Sequence, residues 1–267
     1  MTTATVTAAD ESILLRYDDS GITTLTLNRP GQYNALSKAL LEALQSTLDA
    51  IAADDSVRVV ILNGNGPAFC AGHDLKELRG SSDPAFHKAL FQQCSRMMLT
   101  VNRLPQPLIA QVEGIATAAG CQLVAACDLA VAADAARFAV SGINVGLFCS
   151  TPAVSLSRNL NRKQAMEMLL TGEFIDARDA LRYGLVNRVV PSGDVAVTVR
   201  QLADSIRAKS SYAVRTGKDM FYRQLEMGLE EAYEYASEVI ACAMASQDGG
   251  EGIDAFIAKR KPVWRGR

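Results

Sequence analysis

Histidine is scarce in this chain: only His73 and His87 occur among 267 residues. That excludes a histidine-rich metal site and leaves two imidazoles at most for any Ser-His or Cys-His mechanism. The six cysteines, Cys70, Cys94, Cys121, Cys127, Cys149 and Cys242, include no C-x-x-C pair. Their spacing fits neither a zinc site nor a small disulfide scaffold, so they read as free thiols in a reducing compartment. No G-x-x-x-x-G-K-[ST] and no G-x-G-x-x-G occurs, which removes the two commonest phosphate-cradling fingerprints. No apolar run approaches the ~18 residues of a membrane span. The stretch Met1–Ser12 lacks a basic segment followed by an apolar one, and Asp10 and Glu11 make it too acidic for an organelle transit peptide. A protein of the cytoplasm is the expectation. Neither charge sign dominates either. Lys plus Arg total 27 against 29 Asp plus Glu, so no basic field exists to hold nucleic acid or an anionic membrane.

What is present is ordinary globular material, 49% hydrophobic and 21% charged. Two short runs, 13–17 and 22–27, flank Asp18-Asp19-Ser20-Gly21 and predict a β-hairpin. Ser37 stands before a helix with Leu41, Leu44, Leu48 and Ile51 on one face. Val57–Leu62 reads as a strand covered on both sides, and Pro107–Val112 as another strand. Asp83-Pro84 pairs an N-cap acceptor with proline at the first helical position, and Leu90, Phe91, Cys94, Met97, Met98 and Val101 give that helix its stripe. Short strands at 129–132, 138–140 and 185–190 follow. Helices are predicted over 153–160, 162–171, 176–183 and 195–209. A long helical stretch is predicted from about 216 to 246, broken by Gly249-Gly250 before a last helix near 252–259.

Two segments repeat one pattern: a strand, a turn of small residues, a helix start. They are Gly64–Gly72 leading into His73–Leu78, and Gly114–Gly120 leading into Cys121–Ala126. Small residues beside a helix N-terminus let backbone N–H groups approach a ligand oxygen. Two such turns face to face would make an oxyanion hole; each alone is compatible with simple packing.

The order of several further pieces carries a resemblance. Leu27-Asn28-Arg29-Pro30 leads to Asn34-Ala35-Leu36, then Phe69–Lys76, then Gly114 with Ala118-Ala119-Gly120-Cys121-Gln122-Leu123 and Cys127-Asp128. Phe138, Gly146, Leu170-Thr171-Gly172 and Gly184-Leu185-Val186 complete the series. In this order they resemble the crotonase, or enoyl-CoA hydratase/isomerase, superfamily along nearly the whole chain. Ala71–Leu78, Ala118–Ala125, Val145–Pro152 and Lys259–Trp264 resemble one subgroup of it in particular.

The resemblance implies an α/β fold, a spiral of β-β-α units over residues 1–195. A helical region over 196–267 would serve oligomerisation and completion of the CoA site, as a homotrimer or a dimer of trimers. It implies an acyl-CoA thioester as ligand, with no metal and no cofactor beyond the CoA of the ligand. Carried over by position, the backbone N–H groups of His73 and Ala119 hold the thioester oxygen. Ala71, His73, Asp74, Leu75, Lys76, Ala119, Lys259 and Lys261 contact the ligand. Hydratases of this family deliver water with two glutamates, and here those positions carry Gln122 and Gly142. Glutamine can hold a water but takes no proton at neutral pH, and glycine offers no side chain. General acid and base groups each supply roughly 10²–10⁴-fold, so efficient hydration is not expected unless His73, Glu113 or Cys149 substitutes. The expectation is therefore an acyl-CoA-binding family member of fatty-acid or acyl-CoA metabolism. A non-catalytic carrier, an assembly scaffold, or an isomerase, decarboxylase or thioesterase using other residues stay open.

Overall fold

The computed structural model describes residues 12–267. The reading of Met1–Glu11 lies outside them. An antiparallel hairpin, β1 (Leu14–Asp19) and β2 (Ile22–Leu27), turns at Ser20-Gly21. Helix α1 (Lys38–Ala52) follows, its Leu40 N–H bonded to the Ser37 side chain, and buries Leu41, Leu44, Leu48 and Ile51.

Three β-β units come next: β3 (Val59–Gly64) with β4 (Ala68–Cys70), β5 (Leu108–Val112) with β6 (Ile115–Thr117), and β7 (Leu129–Ala133) with β8 (Arg137–Ala139). Helices α2 (Leu75–Arg79) and α3 (Pro84–Arg103) leave the first unit, α4 (Ala119–Ala126) the second, and α5 (Ser150–Asn159) and α6 (Arg162–Thr171) the third. Then come β9 (Ile175–Asp176), α7 (Ala177–Tyr183) and β10 (Arg188–Val190), followed by α8 (Val195–Arg207), α9 (Ser211–Gln224), α10 (Leu229–Met244) and α11 (Gln247–Ile257).

Each β-β unit feeds two sheets. The first strands join the order β1-β2-β3-β5-β7-β10, parallel from β2 onward; the second strands join β4-β6-β8-β9. The chain thus climbs in a crotonase-like spiral. Strand β5 is buried over its whole length, as a parallel strand covered on both faces must be. Helix α8 lies across β3, β5 and β7 and buries Val195, Val199 and Ala203.

Two expectations are corrected. The stretch 216–246 is two helices, because the chain turns through Leu225–Gly228 between α9 and α10. Gly249 and Gly250 do not break a helix; they lie in the first turn of α11, where the Ser246 hydroxyl accepts the Gly249 N–H. That turn places Asp248 in the interior, 3% exposed, where it accepts from the Ser210 hydroxyl and from the Arg265 and Gly266 N–H groups. Among the described residues, no helix is long and apolar enough to cross a membrane.

Candidate active site

The first turn runs from β4 through Ala71, Gly72 and His73 into α2. Gly72 has φ +87°, a region that favours glycine. A Cβ there would stand 2.8 Å from the Ala118 Cβ and 3.1 Å from the Ala119 nitrogen. The segment is pinned by Leu36, whose N–H donates to the Gly72 carbonyl (2.7 Å) and whose carbonyl accepts the Asp74 N–H (3.3 Å). Successive N–H groups of an extended segment alternate in direction, so the His73 N–H faces away from Leu36. The Ala71 N–H donates to the Tyr33 carbonyl.

Behind the turn, Asn34 is wholly buried at φ +54°. Its amide oxygen accepts the Arg29 N–H, and its Nδ2 donates to the Asn65 and Ala68 carbonyls. Asp74 caps α2 through the Lys76 and Glu77 N–H groups and pairs with Arg29 at 3.0 Å. Burial pushes the Asp74 carboxyl up, but the Arg29 hydrogen bond and the two backbone donors outweigh it and hold it below its usual range. Its oxygens are committed to structure.

The second turn runs from β6 through Ala118 into α4. Ala118 sits at φ +51°, ψ −120°, a conformation that costs a residue with a Cβ about 1–3 kcal/mol. Its N–H donates to the Ala139 carbonyl and its carbonyl accepts the Gln122 N–H. Gly120 packs directly on the Cys70 carbonyl, where no Cβ fits. Ala119 is the first residue of α4, so its N–H belongs to the helix turn that lacks intrahelical acceptors. The two turns therefore pack against each other at Gly72 and Ala118, the residues just before the sequence-predicted donors His73 and Ala119.

Gln122 lies one turn further along α4, buried, with its amide oxygen unpartnered among the described residues. Gly142 lies in the 3-10 turn Ser141–Val145. Its N–H donates to the Cys149 Sγ at 3.2 Å, and a Cβ on it would meet that sulfur and the Leu147 carbonyl, each at 2.7 Å. Burial pushes the Cys149 thiol up, opposed by that N–H, so it stays protonated at neutral pH. Glu113 is exposed at the other end of β6 and accepts from the Gln111 amide.

The His73 ring meets Phe91 of α3 edge-on, with centroids 5.1 Å apart. Both ring nitrogens are shielded from solvent and neither has a hydrogen-bond partner among the described residues. Burial pulls its pKa below the ordinary value, opposed by the Leu36 backbone, so the ring is neutral at pH 7. Phe91 also lines a cleft of about 910 Å³ whose walls include Leu75, Lys76, Leu78, Val145 and Leu147. This is an apolar groove with a polar rim, of the size that takes small-molecule ligands. Lys259 and Lys261 are exposed at the end of α11 and are not among its walls.

Sequence reasoning missed how Asp128 is used. It accepts from the Leu108 N–H, from Lys218 Nζ at 2.7 Å and from the Tyr222 hydroxyl at 2.9 Å, fastening α9 to the core. Its two side-chain partners lie 90 and 94 residues away, and no local pattern announces them.

A family model described as Enoyl-CoA hydratase/isomerase matches residues 18–267. The chain belongs to that family. It is 48% identical over 244 residues to the mitochondrial enoyl-CoA hydratase domain-containing protein 3 of Mus musculus, covering 91% of this chain and 81% of that one. Among solved structures it is similar to an enoyl-CoA hydratase of Mycobacterium smegmatis (54% identity, TM-score 0.94, 95% and 99% of the two chains). It is also similar to human enoyl-CoA hydratase domain-containing protein 3 (45% identity, TM-score 0.92, 95% and 100%). The fold, the family and the likeness to that subgroup thus stand as the sequence implied. The cytoplasmic expectation is corrected: the vertebrate relatives at 47–48% identity are named as mitochondrial proteins.

As a member of the enoyl-CoA hydratase/isomerase family, the chain is a protein of acyl-CoA metabolism.

Proposed function

We propose that this protein binds acyl-CoA thioesters with the carbonyl oxygen between the N–H groups of His73 and Ala119, and that it hydrates 2-enoyl thioesters poorly. The contact of Gly72 with Ala118 and Ala119 carries the reading, because it sets the two N–H-bearing turns against each other. Removing one such donor typically costs about 2.7–4 kcal/mol of transition-state stabilisation. The cleft beside them, with Leu75 and Phe91 on its walls, takes the acyl-pantetheine portion. Lys76 on its rim, with Lys259 and Lys261, meets CoA phosphates; Ala71 and Asp74 shape the turn. CoA enters only as part of the ligand, and no separate cofactor or metal takes part.

Water delivery across a double bond needs groups that give and take protons. Gln122 supplies an amide, and above Gly142 stands a protonated thiol engaged with backbone. A carrier that binds without turnover is the second reading, and these two positions favour it. For assembly, residues 196–267 serve a homotrimer or a dimer of trimers. Support comes from α10 and α11, which leave Leu229, Tyr233, Ile240, Met244 and Phe256 between 56% and 85% exposed.

One experiment tests the reading. Purified protein is titrated with crotonyl-CoA and longer 2-enoyl-CoAs, and binding and hydration are measured together. Binding with hydration near background is the expected result. Turnover at ordinary enzyme rates, about 1–10³ s⁻¹, would overturn the account of Gln122 and Gly142.

A further inference from the structure

We propose that a cavity at the sheet edge remote from the paired turns binds inorganic phosphate as the hydrogen phosphate anion, held by Arg58, Arg215 and Gln106. None of these residues lines the cleft beside the turns, so the inference is independent of the thioester reading. The cavity measures about 120 Å³, below the roughly 300–1,000 Å³ of sites for drug-sized ligands, and suits one small ion. Arg58 leads into β3 and Pro107 into β5, and both are walls of it. The paired turns follow the opposite ends of those strands, through β4 and β6. Strands of five or six residues, at ~3.3 Å each, put about 15–20 Å between the two places.

Two guanidinium groups and a helix start supply the donors. Arg58 donates through Nη2 to the Lys209 carbonyl (2.7 Å), and Arg215 through Nη2 to the Gly266 carbonyl (3.0 Å). A guanidinium carries its N–H donors in a planar fork, so each keeps donors for an oxyanion. Asp55 is also a wall, but its carboxylate is fully exposed and sits 3.6 Å from Arg215, a weak pair open to solvent. Ser211 opens α9 on the same wall. The Ser210 side chain accepts the Ala213 N–H, and the Ser211 N–H has no acceptor within the helix. Burial pulls Arg58 below its ordinary pKa, with Asp248 opposing and Arg207 adding to the pull. Arg58 is still a cation at neutral pH, and a cluster of half-buried cations favours an anion.

Gln106 decides which anion. It is a wall of the cavity and only 7% exposed. Its Nε2 donates to the Ile51 and Asp54 carbonyls (2.9 and 3.2 Å), which fixes the orientation of the amide. The residues that follow those two carbonyls, Ala52 and Asp55, are walls as well, so the carboxamide lies at the cavity and not the Gln106 backbone alone. Its Oε1 is buried and has no partner among the described residues. An orphaned buried acceptor calls for a donor, while the two arginines call for negative charge. Hydrogen phosphate meets both. Its O–H donates to Gln106 Oε1, and its charged oxygens accept from Arg58, Arg215 and the Ser211 N–H. Sulfate has the same shape but no O–H at neutral pH, so it leaves Gln106 unsatisfied.

The test uses full-length protein in phosphate-free buffer at pH 7 and constant ionic strength. It is titrated calorimetrically with sodium phosphate and, separately, with sodium sulfate. One phosphate per chain is expected, with sulfate weaker by about 10-fold or more. Arg58→Gln and Arg215→Gln should each weaken phosphate by about 10-fold or more. Gln106→Leu keeps both arginines and loses the acceptor, so it should bring phosphate and sulfate to within a few-fold of each other. Should the variants misfold, the wild-type comparison of the two ions decides. An absence of saturable phosphate binding, equal affinity of the wild type for both ions, or phosphate binding unchanged in both arginine variants overturns the inference. None of these outcomes bears on the thioester site, which the crotonyl-CoA titration tests by itself.

Discussion

The Cys149 sulfur occupies the space above Gly142. It accepts the Gly142 N–H at 3.2 Å and lies 2.7 Å from where a Cβ would be. The position proposed to match a hydratase glutamate is therefore closed in this chain as well as empty of a carboxylate.

Gly142→Glu should consequently fail to restore hydration and should destabilise the fold by about 1–3 kcal/mol, the usual cost of overpacking. Chemical denaturation measures the loss. Adding Cys149→Ala should recover part of it and not all, because the Leu147 carbonyl still crowds the site.

Gln122→Glu places a carboxyl where the present amide oxygen is buried and unpartnered. Desolvation raises the folded-state pKa of such a group. The folded state then holds its proton more tightly than the unfolded state, so stability falls as pH rises. Melting temperatures at pH 5 and pH 8 should diverge from wild type more at pH 8.

His73 gives the opposite sign. Burial lowers its folded-state pKa below 6.5, so the unfolded chain binds more protons in the window just below that value. Stability should therefore be intact above pH 6.5 and decline as pH falls through the window toward the folded-state pKa. The carboxylates held low, Asp74 and Asp248 among them, lose their contribution only below about 3.8, so the two effects separate. A pH series of melting curves for wild type and His73→Gln checks this; the variant should lack the first decline.

Gly72→Ala forces a Cβ into a positive φ and against Ala118. A loss of about 1–3 kcal/mol in stability is expected, together with weaker acyl-CoA binding as the His73 N–H swings off line. Calorimetry on the folded variant separates the two effects.

Lys218→Met leaves Asp128 with a buried negative charge and only the Tyr222 hydroxyl and Leu108 N–H to hold it. Removing one partner of a buried pair typically costs about 3–5 kcal/mol. Denaturant midpoints would show it, and Asp128→Asn with Lys218→Met should cost less than the two changes summed.

Much of this fold is written locally. Ser37, Asp83 and Asp176 stand at helix starts and accept the N–H groups their positions promise. The apolar run at β3 reads as a covered strand because it is one, and those at β5 and β7 read as strands. The two small-residue turns were visible for the same reason: Gly72 and Gly120 are required by contacts that tolerate no Cβ. The three-residue strands β4 and β6 were not visible, since so short a segment shows no alternation. The break at Leu225–Gly228 was hidden by continuous helical periodicity on both sides. Within the site, the pairing of Asp74 with Arg29, 45 residues earlier, was not legible. Cys149 over Gly142 was equally silent, because packing between loops leaves no spacing rule behind.

The spiral has a consequence for how this protein can change. The turns at Gly72 and Ala118 are fixed to each other by the pairing of β4 with β6 and by glycine contacts in the interior. The walls of the cleft come instead from α2, the 80–82 link, α3 and the 145–147 loop, which hang outside that frame. The paired turns, proposed to hold the thioester oxygen, and the shape of the chamber are thus separate modules. New acyl chains can be accommodated by recutting the walls while the paired donors stay where they are.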